Sequence, residues 1–202
     1  MHEFEAAIFD VGGVLHKNIV QHVRKDIAAH FGLQKDEFRD AWRKTSLPLG
    51  TGEINEAEFW QRFIARIQST IPLPEESLLV REYARRFKAN RGVLNIIDQL
   101  DLESYKLAIP SNTVEAHVKF LSERGLFDKF DIKVFSNEVG LHKPDPEIYL
   151  VTLEQLGTNA DRAFFVDDNA NNVMAANNMG IRGIQYISTK QLRRDLKSLS
   201  VL

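Results

Sequence analysis

A chain of 202 residues can bury one substantial core, alone or with a smaller insertion. Its 26 Lys plus Arg nearly cancel its 28 Asp plus Glu, which argues against nucleic acid or an anionic membrane surface as a partner. With no cysteine, disulfides, thiolate metal sites and a cysteine nucleophile are excluded; with no basic leader and no bilayer-length apolar run, a soluble cytoplasmic protein is expected.

The first apolar run, Phe4 to Phe9, reads as a buried strand and leads directly into Asp10, Val11, Gly12 and Gly13. A carboxylate at a strand tip, followed by glycines that let backbone approach a ligand, points to chemistry rather than packing. From about Asn18 to Phe87 the pattern turns helical, with Ile19, Val23, Ile27 and Phe31 on one face and Phe38, Ala41 and Trp42 on another. Asn55 followed by Glu58 resembles a capping box opening a helix through Phe59, Phe63 and Ile67. A fourth helix after Pro72-Leu73-Pro74 carries Leu78, Leu79, Tyr83 and Phe87, and four helices with short joints predict a small bundle.

Beyond the bundle, short β-rich runs alternate with helical stretches. The expected strands are Lys106 to Ile109, Lys133 to Phe135, Ala163 to Val166 and Gly183 to Tyr186; the expected helices are Val93 to Leu100, Val114 to Glu123, Pro146 to Leu156 and Asn171 to Met179. That alternation predicts an α/β fold, a Rossmann-like three-layer parallel sheet whose ligands gather beyond the strands' carboxyl ends. The core domain is expected over residues 1–16 and 88–202, with the four-helix insertion over 17–87.

The polar residues fall where such a sheet would gather them. Asp10 ends the first strand, Ser111-Asn112 follows the second, Lys143-Pro144 precedes a helix, and Asp167-Asp168 ends the run from Ala163. Carboxylates brought that close repel unless a cation neutralises them, and an all-oxygen cluster suits Mg²⁺.

These motifs resemble those of the haloacid dehalogenase superfamily: Phe9-Asp10-Val11-Gly12-Gly13, Pro110-Ser111-Asn112-Thr113, Lys143-Pro144-Asp145 and Val166-Asp167-Asp168-Asn169, in that order and over nearly the whole chain. The helical insertion is similar to the cap of one branch, and the Asp-x-Gly opening is most similar to bacterial sugar-phosphate phosphatases of the α-D-glucose-1-phosphatase kind. The resemblance implies a Mg²⁺-dependent phosphatase of small phosphorylated metabolites, acting through an aspartyl-phosphate on Asp10. It assigns Lys143 to balancing charge, Ser111 and Asn112 to the transferring phosphoryl oxygens, and Asp10, the Gly12 carbonyl and Asp168 to the metal. Asp167 and Asn172 would orient metal-bound waters.

Gly12 breaks the pattern, because phosphatases of this superfamily usually carry a second Asp there as general acid and base. Its loss costs roughly 10² to 10⁴ in rate, so substrates with good leaving groups are expected. His16 and His142 are the nearest replacement acids. A lid around Trp42, Thr51-Gly52-Glu53 and Phe59 is expected to select substrate, with Trp60, Phe63 and Tyr83 in the bundle core and Arg81, Arg85 and Arg86 on a solvated face. The residues leave open a metal-free dehalogenase, a noncatalytic phospho-ligand binder, and either a monomer or a homodimer.

Overall fold

The computed structural model describes residues 4–202. β1 (Ala6–Phe9) is followed by the inserted helices α1 (Val20–His30), α2 (Lys35–Gly50), α3 (Glu56–Ile67) and α4 (Leu78–Arg86). The chain continues through α5 (Arg91–Ile97), β2 (Lys106–Ser111), α6 (Glu115–Ser122), β3 (Ile132–Phe135), α7 (Ser136–Val139) and α8 (Pro146–Leu156). It closes with β4 (Ala163–Asp167), α9 (Ala170–Asn178), β5 (Arg182–Gln185) and α10 (Thr189–Ser198).

All strand pairs are parallel and the order is β3-β2-β1-β4-β5, so β1 is central and the chain changes direction of travel between β1 and β4. Ligands collect at such a switch point because the flanking loops diverge there and leave a crevice. Both faces of β1 are covered. Ala6 and Ile8 pack with Ile148, Tyr149 and Leu156 of α8, whereas Ala7 and Phe9 join Val93 and Ile96 of α5 and Leu192 and Leu196 of α10. Truncating a side chain as buried as Phe9 costs about 3–5 kcal/mol, which holds the strand tip bearing Asp10 in place.

The insertion shares that second apolar face rather than closing a separate core: Val23, Phe59, Phe63 and Leu79 belong to the same continuous cluster as Phe9 and Phe120. Within it α2 packs on α3 and α1 on α4, while α4 also meets α6 of the core. Phe59, expected near the substrate, is fully buried among Trp42, Trp60 and Phe63, and its position inside the bundle removes it from the cleft. The expected capping box at α3 is half formed. Asn55 accepts from the Glu58 amide, but the Glu58 carboxylate turns to Arg62 at 2.6 Å. A complete box instead opens α10, at Ser188 and Gln191, a helix absent from the expected elements.

Arg85 and Arg86 are exposed, as expected of a solvated face, whereas Arg81 is half-buried, and all three are engaged in ion pairs. Glu82 is buried and accepts from Arg81 at 2.8 Å and Arg85 at 3.1 Å, while Arg86 bonds Asp26 of α1 through two nitrogens at 2.6 and 2.8 Å. These pairs tie α4 to itself and to α1. No described helix is long and apolar enough to cross a membrane.

Candidate active site

Asp10 follows β1 and extends its ladder, its amide donating to the Val166 carbonyl at 2.8 Å. Its carboxylate turns inward and accepts from Lys143 Nζ at 2.5 Å; the same ammonium donates to Asp167 Oδ2 at 2.8 Å. Lys143 is buried despite its charge, an arrangement tolerable only because both carboxylates pair with it. Asn112 holds its backbone: Asn112 Nδ2 donates to the Lys143 carbonyl and the Lys143 amide donates to Asn112 Oδ1, both at 2.7 Å. The amide of Asn112 is thereby engaged at both ends by the loop carrying the lysine, while Ser111 lies buried at the end of β2 and lines the cleft.

Asp167, fully buried at the end of β4, also accepts from the Asn169 amide at 2.8 Å and from Asn172 Nδ2 at 3.0 Å. Asp168 is partly exposed and accepts from Asn18 Nδ2 at 2.8 Å. Gly13 makes room for it. Its φ is +89°, and a Cβ there would lie 2.1 Å from Asp168 Oδ2, so both conformation and clearance require glycine.

Asp10, Asp167 and Asp168 each offer an oxygen within 4.8 Å of the others. Burial pushes the Asp10 carboxyl up to about 7; Lys143 opposes that rise and Asp167 adds to it. Burial alone would depress the Lys143 ammonium, but Asp10 and Asp167 hold it above its usual value. One ammonium cannot balance three carboxylates. The donor set is hard and all oxygen, with one carboxylate reaching solvent, and it fits a small divalent cation such as Mg²⁺.

A cavity of about 370 Å³ opens from this edge toward the insertion, bringing Gly12, Ser111 and His142 opposite Arg24, Trp42 and Tyr83. His16 is buried beside it. His16 Nδ1 lies 2.7 Å from the Lys17 carbonyl, which can only accept, so Nδ1 carries the proton. Burial lowers the ring's pKa, and the neutral Nε2 accepts from the Tyr83 hydroxyl at 2.6 Å. Tyr83, assigned from sequence to the bundle core, therefore has its hydroxyl at the cleft, and its ring stacks on His117 at 4.0 Å. His142 is half-buried and its Nδ1 finds no partner among the described residues.

Of the expected lid segment, Trp42 lines the cavity, whereas Gly52 abuts the Asn137 carbonyl, 2.0 Å from where its Cβ would stand. Next to it Ser136 Oγ accepts from the Thr113 amide at 2.9 Å and donates to the Gly50 carbonyl at 2.7 Å, clasping α2 to the core. Asn18, Arg24, His117 and Ser136 were not singled out by sequence. Each lies outside the four motifs, in a helix or loop whose polar residues look alike until the packing is known.

The chain matches the haloacid dehalogenase-like hydrolase family over residues 8–185, and it belongs to that family. A curated relative, a phosphorylated carbohydrates phosphatase of Thermotoga maritima, is 28% identical over 190 residues, covering 89% of this chain and 83% of its own length. Among solved structures, a HAD-like family hydrolase of Porphyromonas gingivalis superposes with a TM-score of 0.78 at 21% identity, covering 98% of both chains. A HAD family enzyme of Bacteroides thetaiotaomicron, crystallised with magnesium and inorganic phosphate, gives 0.74 at 22% identity, covering 91% of this chain and 94% of its own. At those identities the two structures establish the fold.

Proposed function

We propose that the protein is a Mg²⁺-dependent phosphatase of small phosphorylated metabolites, sugar phosphates foremost, with α1 to α4 (residues 17–87) serving as a cap over the core. The observation that carries this reading is the convergence of Asp10, Asp167 and Asp168 within 4.8 Å around one buried ammonium. The phosphorylated carbohydrates phosphatase and the magnesium and phosphate complex among the relatives support it.

Asp10 and Asp168, with the Gly12 carbonyl, would hold the cation, and Asp167 and Asn172 would orient its waters. Bound there, Mg²⁺ supplies charge neutralisation that lets an anionic ester approach an anionic nucleophile. The Asp10 carboxylate attacks phosphorus as the bond to the leaving oxygen breaks, giving an aspartyl-phosphate; water then cleaves it and restores the carboxylate. Lys143 favours the ionised form of Asp10 against burial and offsets charge on the phosphoryl oxygens, and Ser111 donates to one of them. Asn112 contributes by fixing Lys143. With glycine at position 12, the leaving oxygen departs with little protonation, so anomeric and acyl phosphates should be preferred.

The test is a Mg²⁺-dependent screen of phosphorylated metabolites that includes glucose 1-phosphate, with Asp10→Asn as control. Phosphate release lost both in EDTA and in the variant supports the reading. Halide release from 2-haloacids in EDTA, without phosphate release, overturns it.

A further inference from the structure

Arginines 17–87 present one exception. Every other arginine there lies within 3.6 Å of a carboxylate; Arg24, on α1, has no ion pair among the described residues. Arg24 is half-buried and lines the cavity that also reaches Gly12 and Ser111. Its Nε is sealed from solvent without an acceptor. The guanidinium carbon stands 5.6 Å from the Trp42 ring centroid, a contact that orients the cation without neutralising it. Burial accordingly depresses its pKa.

No aspartate or glutamate lines that cavity among the described residues. Two further nitrogens, His117 Nε2 and His142 Nδ1, are likewise sealed without partners, and both residues line it. Buried polar groups are ordinarily paired, and a desolvated cation costs the most to leave unpaired. Three orphan nitrogens from separate elements, around a space of about 370 Å³, mark where a small ligand would make its hydrogen bonds beyond the transferring phosphoryl group.

We infer that Arg24 is a specificity-determining residue that receives a second anionic group, carboxylate or phosphate, on the end of the substrate away from the transferring phosphoryl group. This rests on the phosphatase reading above. Trp42 holds the guanidinium plane, and a planar anion can take two of its N–H groups at once. His117 and His142 then meet the uncharged middle of the substrate.

Three substrates sharing one anomeric leaving group test this: glucose 1-phosphate, glucuronic acid 1-phosphate and glucose 1,6-bisphosphate. For the wild-type protein with Mg²⁺, kcat/KM for at least one of the two doubly anionic substrates should exceed that for glucose 1-phosphate by about tenfold or more, mainly through KM. Which of the two gains identifies the distal group as carboxylate or phosphate. In Arg24→Gln the ratio should fall to about one, and Arg24→Lys should restore part of it, because charge returns without the fork. Equal kcat/KM across the three, or an unchanged ratio in Arg24→Gln, overturns the inference. If none releases phosphate in an Asp10-dependent way, the phosphatase reading fails separately. Calorimetric binding of the same compounds then decides for Arg24: tighter binding of a doubly anionic one, lost in Arg24→Gln, supports it, and equal binding overturns it.

Discussion

The Tyr83 hydroxyl donates to His16 Nε2 at 2.6 Å, and the His16 ring edge lies 4.0 Å from where a Cβ on Gly12 would stand. The imidazole thus borders the place a second aspartate would fill, yet both its nitrogens are already engaged. Burial also disfavours its protonation, so His16 is poorly suited to replace that acid. Tyr83→Phe should therefore change kcat by less than about threefold on a good-leaving-group ester, while losing about 1 kcal/mol of stability from the missing hydrogen bond. A hundredfold fall in kcat, with an unchanged KM, would show that the pair moves the proton after all.

Gly12 itself can be tested by gain of function. No described atom crowds a side chain there, the nearest being that ring carbon at ordinary van der Waals distance, and the backbone has no left-handed strain. Gly12→Asp should fold and raise turnover of poor-leaving-group alkyl phosphates by about 10², with a much smaller effect on acyl phosphates. Plotting log kcat against leaving-group pKa for both proteins checks this. Equal slopes would mean that the missing carboxylate is not what limits the wild-type enzyme.

Gly13→Ala should do the opposite. A Cβ 2.1 Å from Asp168 Oδ2 at φ +89° must either twist the loop or push that carboxylate away. Left-handed backbone costs an ordinary residue roughly 1–2 kcal/mol, and displacing Asp168 from the ligand role proposed for it should weaken Mg²⁺ by about tenfold or more. Titrating activity with Mg²⁺ measures it; an unaltered midpoint would separate Asp168 from the metal.

What could be read from the chain alone was the part governed by strand ends. Asp10, Ser111 and Asp167 sit on or beside the strand ends of a parallel sheet, where side chains distant in sequence must converge, and Lys143 reaches Asp10 and Asp167 from the loop before α8. The cap side of the cleft was hidden, because helical periodicity shows which face is apolar but not which neighbour it meets. Arg24 and Lys25 look interchangeable in sequence, and only the packing of α1 beside Trp42 distinguishes them. Asn112 reads as a phosphate ligand until the loop bearing Lys143 folds back onto its amide. In α10 a largely charged stretch concealed the two buried leucines, Leu192 and Leu196, that dock it.

Acid should weaken the joint between α4 and α6. Burial pushes His117 down to about 4 from an ordinary 6.5, so the fold favours the neutral ring; that stability is intact above about pH 6.5 and is lost as pH falls through about 4. The full loss is up to about 3 kcal/mol. His117→Phe keeps the stack on Tyr83 and removes the titration. Urea unfolding at pH 7.5 and 4.5 should show the wild type losing more stability than the variant, and parallel losses would place the acid sensitivity elsewhere.

Lys143 provides the last test, because its ammonium and the divalent cation compensate the same charge. Lys143→Met leaves Asp10 and Asp167 facing each other while buried, and breaking such a pair by deleting one partner costs about 3–5 kcal/mol. Adding Asp10→Asn removes one of the two repelling charges, so the double variant should recover part of the loss in EDTA. Mg²⁺ should raise the melting temperature of Lys143→Met more than that of the wild type, since it enters a site carrying one more uncompensated negative charge. Activity should nevertheless stay at least about 10²-fold down, because a cation held by Asp168 cannot donate the lysine's hydrogen bond to the nucleophile. A smaller Mg²⁺ stabilisation in the variant than in the wild type would mean that lysine and metal do not share their carboxylates, and the metal would have to be sought away from Asp10.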